Sequence, residues 1–260
     1  MKKIFLLSLF MFCCPKLLEA NNILILNASS QLGQGVAKHL QQKNHHLFLT
    51  ARNLQKLKEF EDSTIINLDY TKSTQDLEEK LQGRKLDGIV VITPRPRLGS
   101  HYLPKADDWR ECFNEGFIGP LEALRVAIPH LQSGGKIVII GGLTSVSALD
   151  AHQHFSVLRM MWLGQAKGLA RTLAKDKIHV NTIALGGTLT GSFKEGIKKR
   201  AKENGREYKT QLASEVDNIP LKNYATPQQI AHVVSFLLSK DSDHMTGVNI
   251  PLDGGFHRSY

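Results

Sequence analysis

The chain has 260 residues, 42% of them hydrophobic and 22% charged, and its formal net charge at pH 7 is +9. These proportions are typical of one large globular domain and exclude an intrinsically disordered chain. The basic residues form no long run, and the aromatic residues are not interleaved with them, so nucleic-acid binding is not predicted. Cys13, Cys14 and Cys112 have the spacing of neither a disulfide framework nor a zinc site.

The first twenty residues form a signal-like leader. Two lysines precede an apolar run over residues 4–14, and residues 18–20 offer a loose cleavage site. The run is too short to span a bilayer, so no stable membrane span is predicted. The sequence as written favours an exported, periplasmic protein. Translation from Met11 would instead leave a short leader and a cytoplasmic protein, and both localisations stay open.

From residue 22 onward, short apolar runs alternate with amphipathic stretches. Continuous apolar runs are typical of parallel strands covered on both faces. Strands are predicted at 23–26, 47–50, 64–68, 88–92, 136–140, 178–184 and 247–252, and helices at 34–42, 74–82, 119–132 and 227–239. Thr226 and Pro227 have the pattern of a helix cap followed by a first-turn proline. The alternation predicts an α/β fold: a single Rossmann-type doubly wound parallel sheet, flanked by helices on both faces, over residues 22–260.

Residues 190–215 form a strongly basic insertion between the sixth strand and the last helix. Between Lys194 and Lys209 there are seven basic residues and three acidic ones. A basic lid would attract an anionic small molecule. A solvated helix with its charges in water accounts for the same pattern, and we favour that interpretation.

The first predicted strand runs directly into the turn NASSQLGQG, residues 27–35, and then into a helix. Such a turn directs free backbone N–H groups and a helix dipole at a ligand and commonly binds phosphate. Residues 22–256 resemble the short-chain dehydrogenase/reductase family, whose turn reads T-G-A-S-S-G-I-G. The matching residues are Ala28, Ser29, Ser30 and Gly33, and two family glycines are replaced by Asn27 and Gln31. Asparagine tolerates a left-handed backbone, so Asn27 is expected to keep the turn.

The resemblance implies a dinucleotide site and NADP as the cofactor. The residues implied to contact it are Ser29, Ser30, Gln31, Leu32, Gly33, Arg52, Asp69, Tyr70 and Thr190. Arg52 would pair with the 2′-phosphate, which favours NADP over NAD, and Asp69 would hydrogen-bond the adenine. Thr190 would contact the nicotinamide amide.

Three of these assignments have structural alternatives or obstacles. Gly33 would equally serve close packing of a helix on a strand, and Asp69 would equally serve as a turn carboxylate. Gln31 places a side chain where the pyrophosphate would approach, which predicts weak binding or none. The family's N-N-A-G turn is also lost, since Thr93 and Pro94 stand in its place.

Four positions that carry the family's chemistry are substituted. The resemblance implies asparagine, serine, tyrosine and lysine at the positions held here by Gly116, Gly142, Phe155 and Arg159. In the family the phenol transfers a proton, the lysine lowers the phenol's pKa and the serine hydroxyl polarises the carbonyl. Phe155 has no proton to transfer, Gly142 has no hydroxyl and Arg159 stays charged.

These substitutions predict a non-catalytic protein of the family, with a nucleotide-binding or scaffolding role. The alternative is an NADP-dependent oxidoreductase acting on a carbonyl or hydroxyl group through Ser145 or His154. The short segment with Asp150, His152 and His154 has no further obvious ligand, so no metal site is predicted. The resemblance also implies a homo-oligomer.

Overall fold

The computed structural model describes residues 21–95, 103–147 and 153–259, with side chains described from Phe155 onward in the last range. The described residues therefore do not include the predicted leader, Asp150, His152 or the side chain of His154. No described helix has both the length and the apolar character that crossing a membrane requires.

The described chain alternates strands and helices. The strands are β1 (Asn22–Leu26), β2 (His46–Ala51), β3 (Thr64–Asn67), β4 (Leu86–Ile92), β5 (Leu131–Gly142), β6 (His179–Leu185) and β7 (Asn249–Leu252). The helices are α1 (Gln31–Gln42), α2 (Gln75–Leu81), α3 (Ala106–Phe113), α4 (Gly119–Ala127), α5 (Gln153–Leu173), α6 (Gly191–Glu203), α7 (Tyr208–Glu215) and α8 (Pro227–Leu238).

The seven strands form one parallel sheet in the order β3-β2-β1-β4-β5-β6-β7. The chain order reverses at β1, beside β4, so the carboxyl ends of these strands border the crevice in which a doubly wound sheet binds ligands. This topology confirms the predicted Rossmann-type fold.

Each face of the sheet has its own hydrophobic core. Leu24 and Ile89 point to the face covered by α2, α4 and α5, whereas Ile25 and Val90 point to the face covered by α1 and α8. Successive residues of one strand thus enter opposite cores. This two-sided burial is the physical reason why the strands are continuous apolar runs.

Local signals in the sequence place the start of α8 correctly and the end of α4 incorrectly. Thr226 caps α8 by accepting a hydrogen bond from the Gln229 N–H, as predicted. The helix predicted at 119–132 ends at Ala127 and continues as a 3-10 turn, Ile128–His130. Pro129 lies inside that turn and has no N–H to continue the helical hydrogen bonds, which explains the early end.

The basic insertion is ordered as α6 and α7. Arg200 on α6 donates two hydrogen bonds, both of 2.8 Å, to the carboxylate of Glu215 at the end of α7. This pairing lowers the pKa of Glu215 and fixes the two helices against each other. The four lysines of α6 are all exposed, in agreement with the interpretation that the charges are solvated.

Candidate cofactor and catalytic site

The first turn has a left-handed residue, Asn27, and a capping residue, Ser30. Asn27 has φ of +62°, in the left-handed region, as predicted from its side chain. Its N–H donates to the Thr50 hydroxyl at 3.1 Å, and its side-chain amide donates to the Ile92 carbonyl at 3.3 Å. Ser30 then caps α1 by accepting from the Gly33 N–H at 3.0 Å. The turn therefore holds the N-terminus of α1 at the carboxyl end of β1.

Gly33 lies where the helix and the turn approach most closely. A Cβ atom on Gly33 would lie 2.6 Å from the carbonyl oxygen of Ala28, well inside van der Waals contact. The neighbour is backbone and cannot rotate away. This geometry supports the packing explanation for the glycine. Of the adjacent residues, Ser29 is half-buried and Leu32 packs partly against the core.

The side chain of Gln31 bridges the first turn and α6. Its Oε1 accepts a hydrogen bond from the Ser192 N–H at 3.2 Å, and its amide nitrogen would lie 2.8 Å from a Cβ on Gly191. Thr190 caps the same helix by accepting from the Phe193 N–H at 3.3 Å. The bridge thus joins the turn predicted to bind the pyrophosphate to the segment predicted to contact the nicotinamide. The sequence singled out Gln31 and Thr190, but it gave no signal for Ser192 or for its bond to Gln31.

The predicted adenosine end carries mixed charge. The Arg52 guanidinium lies 3.7 Å from the carboxylate of Glu115, and the Arg52 side chain is 56% exposed. Asp69 accepts hydrogen bonds from the Thr71 N–H at 3.3 Å and from its hydroxyl at 2.6 Å. The hydroxyl bond is the main reason why the pKa of Asp69 lies below its ordinary value. The carboxylate thus has the turn role that was the alternative to adenine binding.

A cavity of about 370 Å³ opens beside these residues. It is lined by Arg52, Asn67, Asp69, Lys72, Ser73 and Asp76. Two cations and two carboxylates in its wall provide donors and acceptors for a polar, charged group. The cavity lies at the carboxyl ends of β2 and β3, where the resemblance places the adenosine half of a dinucleotide.

Tyr70 is a packing residue in this structure. A Cβ on Gly119 would lie 2.5 Å from the tyrosine Cδ2, so the ring rests directly on the start of α4. Burial raises the pKa of Tyr70 to about 12. The phenol therefore stays protonated at neutral pH. The absence of a side chain at Gly119 is what admits the ring.

Leu158 of α5 lies against Gly116, the residue predicted to hold the position of the family's asparagine. Gly116 lies in a π-helical turn, Asn114–Ile118, that joins α3 and α4. Its carbonyl accepts a hydrogen bond of 2.8 Å from the indole N–H of Trp162, which is fully buried. A Cβ on Gly116 would lie 2.5 Å from Cδ2 of Leu158. An asparagine at Gly116 would therefore have to displace Leu158.

Arg159 occupies the space beside Gly142. Phe155 and Arg159 lie one turn apart on the same face of α5, next to the end of β5. A Cβ on Gly142 would lie only 3.1 Å from Nε of Arg159. The Arg159 guanidinium donates to the Thr93 hydroxyl. Burial first, and then the nearby charge of Arg95, lower the pKa of Arg159 to about 10, so it remains a cation at neutral pH.

The structure describes only one of the two substitute catalytic residues. Ser145 ends a 3-10 turn, Leu143–Ser145, directly after β5 and is half-buried. The side chain of His154 lies outside the described residues. No group of three or more potential metal ligands occurs within the described ranges.

A seven-stranded parallel sheet in this order, with a strand-to-helix turn at its reversal point, defines a Rossmann-like α/β protein. Residues 27–257 match the family profile described as Enoyl-(Acyl carrier protein) reductase. The chain therefore belongs to this short-chain dehydrogenase/reductase family.

The relatives span almost the whole chain at low identity. The chain is 27% identical to the 3-oxoacyl-[acyl-carrier-protein] reductase FabG of Rickettsia conorii over 251 residues, which covers 92% of this chain and 97% of the relative. It is 25% identical to the human 3-oxoacyl-[acyl-carrier-protein] reductase, with 89% and 95% covered.

Solved structures show the same fold. L-sorbose reductase from Gluconobacter frateurii, complexed with NADPH and L-sorbose, superposes with a TM-score of 0.84 at 22% identity, covering 93% of this chain and 98% of that chain. A tyrosine-to-phenylalanine variant of ElxO with NADPH bound superposes with a TM-score of 0.77 at 23% identity, covering 91% and 98%.

Proposed function

We propose that this protein is a non-catalytic member of its family that binds an NADP-type dinucleotide weakly. The family's hydride transfer needs a proton donor and a group that polarises the carbonyl. At the four positions that supply these groups in the family, the chain has two glycines, a phenylalanine and an arginine. None of the four replacements supplies the missing chemistry.

One observation carries the proposal: the neighbouring side chains have taken the space of the missing groups. Leu158 lies where a side chain on Gly116 would be, and Arg159 lies where a side chain on Gly142 would be, with Cβ approaches of 2.5 and 3.1 Å. A side chain on Gly116 would require the end of Leu158 to move, and one on Gly142 would require Arg159 to shift by a few tenths of an ångström. The two glycines are thus packed against side chains of α5 in this structure.

The dinucleotide part of the proposal rests on the first turn and on Arg52. The turn keeps its left-handed residue and its helix N-terminus, and Arg52 remains largely exposed at the end of β2. NADPH is bound by L-sorbose reductase and by the ElxO variant, which share the fold. The Gln31 bridge opposes binding, because the pyrophosphate would have to break its hydrogen bond to α6. Loss of one such bond costs about 1 kcal/mol, or roughly fivefold in affinity.

The test is titration of the full-length protein with NADPH and NADH, followed by nicotinamide fluorescence, together with an assay of NADPH oxidation. The carbonyl panel contains 3-oxoacyl thioesters and ketoses, the substrate types named for the relatives. We expect binding that favours NADPH, and no oxidation. Arg52→Gln should abolish the preference for NADPH, whereas Arg206→Gln, an exposed arginine after α6, should leave it unchanged. Turnover of any carbonyl, or no binding of either nucleotide, would overturn the proposal.

A second candidate function is an NADP-dependent oxidoreductase that uses Ser145. The position of Ser145 directly after β5 favours it, because the family's own serine position, Gly142, lies at the end of the same strand. Carbonyl-dependent NADPH oxidation that disappears in Ser145→Ala would support this function. His154→Gln, assayed in parallel, would identify the proton donor.

A further inference from the structure

Two arginines converge on the position of the missing catalytic groups. The guanidinium carbon of Arg95, just beyond β4, lies 5.6 Å from the centre of the Phe155 ring. Arg159 lies one helical turn from Phe155 on the same face of α5, and the charge of Arg95 acts on it. Phe155 therefore brings two positive charges together at the carboxyl end of β5.

The charge of Arg159 has no acidic partner among the described residues. No described carboxylate lies within ion-pair distance of Arg159 or Arg95. Arg95 also lines a small cleft with Asp108, Glu111 and Glu115, and Asp108 accepts a hydrogen bond from the Lys105 N–H. A guanidinium removed from water costs free energy unless it is paired.

Within the described residues, one hydrogen bond of the Arg159 guanidinium is seen, to the Thr93 hydroxyl. The guanidinium has five N–H donors, so most of them have no partner in the described part of the chain. Thr93 is itself buried and fixed by a hydrogen bond of 2.8 Å from its hydroxyl to the Ile140 carbonyl. Arg159 is thus held in one orientation, with a planar fork of donors beside the bare backbone of Gly142. That fork matches the two oxygens of a carboxylate or phosphate.

We propose that Arg159 and Arg95 bind an oxyanion, a carboxylate or phosphate group of a small molecule, at the position where the family's catalytic groups lie. The inference deepens the proposed function and rests on it: the site that has lost carbonyl reduction has become an anion-binding site. Phe155 supplies an apolar wall beside the anion, which suits an organic acid with an apolar body.

The oxyanion has two sources, a free small molecule or a phosphate of the dinucleotide itself. The full-length protein is titrated with inorganic phosphate, pyruvate and benzoate, with and without NADPH, by calorimetry and thermal shift. Anion binding that is unchanged by NADPH indicates a free small molecule, whereas competition with NADPH indicates a phosphate of the dinucleotide. Both results require that the anion binds at the two arginines.

Four variants test that requirement. We expect Arg159→Gln to weaken anion binding at least tenfold, Arg159→Lys to weaken it less because the charge remains, and Arg95→Gln to weaken it severalfold. Arg171→Gln is the matched control, since Arg171 is an exposed arginine on the same helix, and it should bind as wild type does. Without any anion, Arg159→Gln should melt at a higher temperature than wild type, because an unpaired desolvated charge has been removed.

The inference is overturned if none of the three anions binds, or if Arg159→Gln and Arg95→Gln bind them as tightly as wild type. NADPH affinity, measured on the same preparations, separates this failure from that of the proposed function. Anion binding without NADPH binding refutes the dinucleotide proposal alone. NADPH binding without anion binding refutes only the inference about Arg159 and Arg95.

Discussion

Replacing Gly33 with alanine tests whether this glycine serves packing. The new methyl carbon would lie 2.6 Å from the Ala28 carbonyl oxygen and 2.8 Å from its carbonyl carbon and Cα, whereas ordinary contacts are 3.4–4 Å. All three neighbours are backbone atoms of the first turn, so no side chain can rotate to relieve the overlap. The N-terminus of α1 must instead move away from the turn by about 1 Å.

The cost of that movement follows from what α1 buries. Val36 and Leu40 on this helix are fully buried against the core, and shifting the helix loosens their contacts. Overpacking costs about 1–3 kcal/mol, and the rigidity of the backbone here places Gly33→Ala at the upper end, about 3 kcal/mol. Alanine recovers about 1 kcal/mol through its higher helix propensity. The expected net loss of unfolding free energy is about 2 kcal/mol.

Gly164→Ala is the matched control, because this glycine also lies in a helix but a Cβ there would meet no described atom within 4 Å. Only the propensity gain remains, so the variant should be stabilised by about 0.5–1 kcal/mol. Urea unfolding of the full-length proteins, followed by far-ultraviolet circular dichroism, measures both changes. If Gly33→Ala unfolds within about 0.5 kcal/mol of wild type, the packing argument is wrong.

Three further predictions concern the first turn and two buried side chains, His39 and Lys136. Gln31→Gly removes the bridge to α6 and should tighten NADPH binding about fivefold in the fluorescence titration. Unchanged or weaker binding would mean that the bridge does not oppose binding of the pyrophosphate. Burial, followed by the neighbouring His232, holds the pKa of His39 below its ordinary value of 6.5. As the pH falls, the unfolded chain therefore takes up the proton first, and the free energy of unfolding should decrease below pH 6.5 toward the folded-state pKa. In urea unfolding at several pH values, His39→Gln should reduce this pH dependence. A pH dependence equal to that of wild type would contradict the prediction. Asp243→Asn leaves the buried ammonium of Lys136 without the carboxylate that lies 2.5 Å away. The free energy of unfolding should fall by about 2 kcal/mol, less than for a fully buried pair because Asp243 is 59% exposed. A melting temperature equal to that of wild type would contradict this prediction.

The architecture and several turns could be predicted from the sequence because they depend on residues close together in the chain. Continuous apolar runs identify strands that are buried on both faces. Thr226 and Pro227 identify the start of α8, and Asn27 identifies a left-handed turn, all from local conformational preferences. The end of α4 at Ala127 was also encoded locally, by Pro129, although the apolar periodicity predicted a longer helix.

The sequence predicts four substituted catalytic positions, but it does not predict which side chains lie beside them. Counting along the chain from motifs shared with the family predicts two of these positions at Gly116 and Gly142. Only the packed structure shows that Leu158 and Arg159, from α5, lie beside them. Which residues of another element face a glycine depends on how that element docks on the sheet.

The first turn likewise combines a property that the sequence shows with a contact that only the structure shows. The sequence identified Gln31 as an unusual side chain at a phosphate-binding turn, and that property is local. Its partner, the Ser192 N–H, lies 161 residues further along the chain, and the Arg52–Glu115 pair likewise joins separate elements. These contacts exist because the parallel sheet brings the carboxyl ends of distant strands to one edge. Sequence thus determined which groups this edge carries, and the order of the strands decided which of them meet.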